Sequence, residues 1–248
     1  FEKTLKNINN HNKIIENIDV GGPAMVRSAA KNYKFITVIT SSNQYEELII
    51  ELKNNKGSTT LKFRERLSRI AFSETAYYDS VISNYFNKIS DTTFPDKKTF
   101  HAKLTEMPRY GENPHQKSAI YSRNSDLNIK QIHGKHLSYN NYNDIFAALA
   151  ISKSLPKNKG TVIVKHANPC GVSIKENHLE SYISALECDP ISAFGGIVSC
   201  NYKMTKTVAE ELNKLFLEVI IANNFDEDAL KLLKTKKNTR LIDASKYT

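Results

Sequence analysis

Short β-branched runs separated by stretches of helical periodicity narrow the fold of this chain more than any other feature. Residues 35–40 (FITVIT), 161–165 (TVIVK), 197–200 (IVSC) and 218–222 (EVIIA) have the length and branching of buried strands. Between them, residues 44–54, 60–86, 144–154, 176–188, 205–217 and 226–233 place apolar side chains near helical spacing. Gly57 follows the first of these stretches as a stop signal, and Thr205 and Asp226 stand where N-caps are expected. Elements that alternate in this way bury a sheet between helices, so the expected class is α/β. The 248 residues leave room for one large domain or two modest ones. The polar stretch 88–105, which carries Pro95 and no sustained period, is where two domains would join.

A net charge of +9 raises the question of nucleic acid, because basic domains track phosphate backbones. Only 7 of the 35 basic residues are Arg, the side chain that reads guanine bidentately and stacks on bases. The lysines are scattered among Asn and Ile, with KTKK at 234–237 the densest cluster. Such an excess bears on solubility more than on recognition, so no nucleic-acid partner is expected. A nucleic-acid module would instead show affinity that falls steeply with salt. Cys170, Cys188 and Cys200 are odd in number and form no CxxC pair, which fits a reduced, cytoplasmic protein. No run has the length of a membrane span or the layout of a signal peptide, so no membrane partner is expected. The chain opens on Phe1 and closes on DASKYT, which leads us to expect an internal piece of a longer protein.

Four motifs can carry chemistry. In IDVGGPAMVRSAAK, Gly21 and Gly22 supply a turn and Pro23 suits the first helical position. Asp19 to Gly22 then form a loop at a helix N-terminus, which favours an anion, with Arg27 and Lys31 on one face. A capped amphipathic helix with Ala29 and Ala30 inward accounts for the same pattern. In RYGENPHQ, Arg109 in a loop suits phosphate or carboxylate, while Gly111 and Asn113-Pro114 alone would make a polar turn.

KHANPCG follows the strand TVIV directly, and ends of strands in open α/β sheets are where ligands bind. A hydrophobic run that ends in Lys165-His166 needs a reason. The lysine disfavours a second cation beside it, which leaves His166 as a proton acceptor. A structural histidine at a strand end is the alternative. In DPISAFGG, Gly195 and Gly196 admit a ligand to the backbone and Phe194 offers a ring for stacking, or the segment is a turn with a core Phe. HANPC also echoes zinc deaminases, which use H-x-E and P-C-x-x-C. Asn168 and Ser173 occupy the positions of the carboxylate and the second thiolate, so no catalytic metal is expected.

Taken together, IDVGGPAMVRSAAKN, RYGENPHQ, LSYNN, VKHANPCGV and DPISAFGGIVS resemble, in order, one family. It is that of the bifunctional purine-biosynthesis enzymes that combine AICAR formyltransferase with IMP cyclohydrolase. The resemblance implies the C-terminal part of a methylglyoxal-synthase-like cyclohydrolase domain over residues 1–90 and a linker over 91–105. The first cytidine-deaminase-like subdomain of the formyltransferase would follow over 106–248. It also implies formyl transfer from the co-substrate 10-formyltetrahydrofolate to AICAR, then closure of FAICAR to IMP with loss of water, in a homodimer.

On the matching positions, His166 would be the general base and Lys165 its electrostatic partner. Arg109, Tyr110, Asn140 and Glu218 would contact the ribotide, and Phe194 and Gly195 the folate. For the cyclohydrolase, the resemblance gives Asp19, Gly21 and Gly22 to the loop around the carboxamide and Lys31 to positioning or proton transfer. A non-catalytic remnant of such an enzyme is the other reading of the same motifs.

Overall fold

Residues 1–90, 92–123 and 126–247 are described by a computed structural model. They form two units, Phe1–Ala102 and Lys103–Thr248.

The first unit is helical: α1 (Glu2–Asn7), α2 (His11–Glu16), α3 (Gly21–Lys31), a 3-10 turn at Ser42–Gln44, α4 (Tyr45–Asn54) and α5 (Leu61–Ile89). Helix α5 starts where Thr60 accepts a hydrogen bond from the Phe63 amide at 3.2 Å. Thr60 in turn donates its N–H and O–H to the Glu51 carboxylate, which ties the end of α4 to the start of α5. Phe63, Leu67 and Ala71 form one stripe of α5 and pack on Ala30 and Val38. The Ser68 hydroxyl closes that contact by donating to the Ala30 carbonyl.

Residues 35–40, expected as a strand, are not one. Phe35 is 82% exposed and only Val38 is buried. β-Branching favours a strand only where a neighbour completes its ladder, and the described residues of this unit include no strand to do so. Pro23 also departs from expectation: it is the third residue of α3, not the first. Its missing N–H costs nothing there, because the whole first turn lacks intrahelical acceptors.

In the second unit β1 (Lys103–Glu106) pairs with β2 (Ile120–Ser122). The remaining elements are β3 (Lys130–His133), α6 (Tyr139–Ser154), β4 (Gly160–Lys165), β5 (Asn168–Ile174), α7 (His178–Cys188), α8 (Pro190–Ala193), β6 (Ile197–Cys200), α9 (Lys206–Leu212), β7 (Val219–Ala222), α10 (Glu227–Leu233) and β8 (Arg240–Asp243). Six strands make one mixed sheet in the order β3-β8-β7-β6-β4-β5, with β6, β7 and β8 parallel and β4 antiparallel to both neighbours. The expected α/β class holds for this unit.

Alternation along β4 sorts the core. Val162 and Val164 face α6, while Ile163 faces the layer of α7, α9 and α10. All three are fully buried, each contributing about 1.5–3 kcal/mol by transfer from water.

Two expected details change. The helix expected over 205–217 stops at Leu212, where the Lys236 ammonium takes the freed carbonyls of Asn213 and Leu215. Thr205 and Asp226 occupy N-cap positions without a side-chain cap bond, and Asp226 pairs with Lys203 at 2.5 Å instead.

Gly171 on β5 lies against α7 so closely that a Cβ there would sit 1.9 Å from the Ala185 carbonyl oxygen. Backbone cannot rotate out of the way as a side chain does. Gly171→Ala should therefore destabilise the unit by about 1–3 kcal/mol, lowering its melting temperature by several degrees. A melting temperature within 1 °C of wild type would mean that α7 shifts freely on the sheet.

Candidate active site

The register of β4 and β5 pairs Lys165 with Asn168 and leaves His166 and Ala167 as a two-residue hairpin loop. Both lie in the left-handed region, with φ of +53° and +58°. That conformation suits a two-residue hairpin, yet it normally calls for Asn-Gly. For residues with a Cβ it costs about 1–2 kcal/mol each. Among the described residues, three contacts hold the turn. Asp144 on α6 accepts the Ala167 amide at 2.7 Å, the Asn168 side chain donates to the His166 carbonyl at 2.9 Å, and the Lys165 ammonium donates to the Phe194 carbonyl at 2.8 Å. The His166 imidazole is exposed, and it meets no hydrogen-bond partner among the described residues. The segment that follows the strand TVIV is thus a strained hairpin tip that presents one imidazole.

The Phe194 carbonyl belongs to the second wall. Asp189 caps α8 by accepting the Ser192 amide at 2.9 Å. Hydrogen bonds from Ser192 hold the Asp189 carboxyl below its ordinary range, with a smaller contribution from the Lys165 cation. Phe194 is more than half exposed, with its ring centroid 5.4 Å from that of Phe216. Gly195 has φ +72° and donates to the Phe216 carbonyl at 2.8 Å. Gly196 is required by space, since a Cβ would approach the Val164 carbonyl to 2.9 Å. Its own carbonyl accepts the Glu218 amide at 3.0 Å, which delivers the chain to the third wall.

There the Glu218 carboxylate accepts from the Asn141 amide at 2.8 Å and faces the Arg240 guanidinium at 3.4 Å. Burial pulls Arg240 below its ordinary pKa, Glu218 opposes that, and the Arg109 cation adds to it. Arg109 lies 5.0 Å over the Tyr110 ring, and its guanidinium donates to the Tyr110 hydroxyl. Asn140 donates to the Glu112 carbonyl at 3.1 Å, so α6 also fixes the RYGENPHQ loop.

Lys165, His166, Phe194, Gly195, Glu218, Arg109, Tyr110 and Asn140 therefore gather at one edge of one sheet. That edge is the carboxyl end of β4, but the amino end of β6, β7 and β8. The carboxyl ends of the parallel strands, where the strand-end rule points, instead open on a cavity of about 460 Å³ beside Asn201, Asn223 and Tyr247, which holds none of these residues.

Asp144, Asn141 and Arg240 were assigned no role in the site from the sequence. The available signals were an Arg inside the apolar run RLID and an Asp four residues after Asn140 on the same helix face.

The first unit carries the other motif. Asp19 accepts the Gly22 amide at 2.9 Å, and its own amide donates to the Tyr78 hydroxyl at 2.7 Å. A Cβ on Gly22 would press to 2.3 Å from the Asp19 carboxylate, while Gly21 has open space around it. Lys31 is in the last turn of α3, about 15 Å along the axis from Gly21, so this unit does not bring Lys31 and Asp19 together. Arg27 lies over the Phe72 ring at 5.6 Å.

A sequence-family model described as AICARFT/IMPCHase bienzyme matches residues 29–248. Proteins named "Bifunctional purine biosynthesis protein PurH" are similar to this chain. The one from Listeria welshimeri is 48% identical over 92% of this chain and 45% of its own length. The one from Clostridioides difficile is 42% identical over 99% and 49% respectively, and that from Cereibacter sphaeroides 43% identical over 98% and 47%. The chain spans about half the length of the curated relatives it matches. On the family match over most of its length, the chain belongs to the AICARFT/IMPCHase bienzyme family.

Proposed function

We propose that the second unit supplies one face of a formyltransferase site, and that the first contributes to closure of the product to IMP. In this reading the substrates are AICAR and 10-formyltetrahydrofolate, and FAICAR is the intermediate. The observation that carries it is the exposed imidazole of His166 on a strained turn beside Lys165, at the same end of the sheet as Arg109, Tyr110 and Glu218.

The chemistry follows from the acceptor. The 5-amino group of AICAR is conjugated into the imidazole carboxamide, so it attacks only if its proton leaves as the new bond forms. His166 takes that proton as the amine nitrogen bonds to the formyl carbon. The Lys165 ammonium, one residue away on the same rim, steadies the tetrahedral oxyanion. The carbon–N10 bond then breaks and N10 of tetrahydrofolate regains a proton.

Arg109 and Tyr110 hold the anionic ribotide, Asn140 orders their loop and Glu218 accepts from ribotide hydroxyls. Phe194 and Gly195 form the folate contact. Asp19, Gly21 and Gly22 surround the carboxamide of FAICAR, and Lys31 assists its loss of water. The reading includes a methylglyoxal-synthase-like origin for residues 1–90, a 91–105 linker and a cytidine-deaminase-like subdomain over 106–248. It also places the enzyme in the cytoplasm as a homodimer, with no catalytic metal, nucleic acid or membrane partner. No helix among the described residues is long and apolar enough to cross a membrane.

Two substitutions separate the activities in the full-length protein, with folate release and IMP formation followed independently. His166→Ala should lower formyl transfer by about 10²–10⁴-fold while FAICAR closure stays unchanged. A loss of only a few fold would remove His166 from the general-base role. Lys31→Ala should slow FAICAR closure by roughly tenfold or more and leave formyl transfer intact, since a proton-transfer group is worth about that much or more. Unchanged closure would exclude Lys31 from that step.

A further inference from the structure

We propose that Asp144 is the positioning residue of the formyl-transfer site: its carboxylate holds the His166–Ala167 turn in the left-handed conformation that presents the imidazole. The inference rests on the formyl-transfer reading, and it goes beyond it by assigning a role to a residue outside the reacting groups.

In a two-residue hairpin of this type the flanking pair, Lys165 and Asn168, closes the ladder, and the amide of the second loop residue points away from it. Here that amide, on Ala167, is taken by Asp144 at 2.7 Å. Neither loop residue is a glycine, so the turn lacks the residue that adopts this backbone without cost, and something outside the hairpin must favour it. Asp144 is suited to do so because its helix is fixed independently. Ile145, Ala148 and Leu149 of α6 pack on Val162 and Val164 of β4. Ser138 and Asn141 close a capping box at its start. The carboxylate is half-buried and does not itself reach the imidazole through any hydrogen bond among the described residues. Its effect on His166 passes through the backbone. The two other contacts of the turn, from Asn168 and Lys165, engage the His166 carbonyl and the Phe194 carbonyl, so among the described residues Asp144 is the one side chain that grips a loop amide.

The test uses the full-length protein with two readouts: hydrogen exchange at the Ala167 amide, and the steady-state kinetics of formyl transfer. Asp144→Ala should speed exchange of that amide by about tenfold or more and lower kcat by a similar factor. The KM for AICAR should stay within about threefold, because the ribotide contacts are elsewhere. Asp144→Asn, whose amide oxygen still accepts the bond, should keep both values near wild type. Ala167→Gly added to Asp144→Ala should recover most of the lost kcat, since glycine adopts the turn unaided. Because that glycine also relieves backbone strain, kcat is compared at a temperature where every variant is fully folded.

Asp144→Ala with kcat within threefold of wild type would overturn the proposal. So would a loss of kcat that the added glycine leaves untouched, or one accompanied by unchanged protection at Ala167. If Asp144→Ala does not fold, Asp144→Ser, too short to span the gap, takes its place with the same expectations. A wild-type protein with no formyl transfer would sink the functional reading instead, and amide exchange in Asp144→Ala and Asp144→Asn would still decide whether the carboxylate holds the turn.

Discussion

The seat of α6 across β4 is the constraint on which the rest of the site depends. The apolar side of the helix, Ile145, Ala148 and Leu149, meets Val162 and Val164 of the strand, and those buried contacts leave no freedom to slide. The first two turns then reach three separate segments. Asn140 holds the Glu112 carbonyl, Asn141 the Glu218 carboxylate and Asp144 the Ala167 amide. A shift of one helical turn, about 5.4 Å, would break all three at once. One hydrophobic contact therefore sets the spacing between the Arg109 loop, the β7 entry and the His166 turn.

The direction of β4 completes the arrangement. A strand parallel to β6 would have carried Lys165 to the far end of the sheet, beside Asn201 and Asn223. Because β4 runs antiparallel, its last residue meets the segment that enters β6, and the Lys165 ammonium reaches the Phe194 carbonyl. The electrostatics follow from the same geometry. Arg240 begins β8 next to Glu218, the residue before β7, so a buried cation is balanced by a carboxylate that Asn141 also holds. Arg109 adds a second positive charge at this rim, near enough to lower the Arg240 pKa further.

Parts of this arrangement are legible in the sequence alone. The runs 161–165 and 197–200 are strands at nearly those bounds, because a strand buried on both faces is written as a continuous apolar run. The helical period over 60–86 is α5, Leu61–Ile89, at nearly those bounds. The hairpin at His166 was not legible, since its loop contains neither Asn nor Gly and its conformation is imposed by Asp144 from another element. Strand β5 was not among the expected strands, since Pro169 and Gly171 interrupt its pattern. The proline is tolerated on an edge strand, and the glycine is there because α7 leaves no room for a Cβ.

By itself the sequence determined the α/β class of the second unit, the main helices and the identity of the motif residues, all of which depend on local pattern and residue chemistry. Only the tertiary structure decided which of them meet. It joined the Arg109 loop, Asn140, the Lys165-His166 tip, Phe194 and Glu218 at one sheet edge, and it left Lys31 at the far end of α3 from Asp19. It also denied residues 35–40 the strand that their branching favours. The physical reason is common to all three outcomes. Pairing and packing are long-range: a strand needs a neighbour, and a left-handed turn without glycine needs an outside acceptor. No window of local sequence shows where those partners will come from.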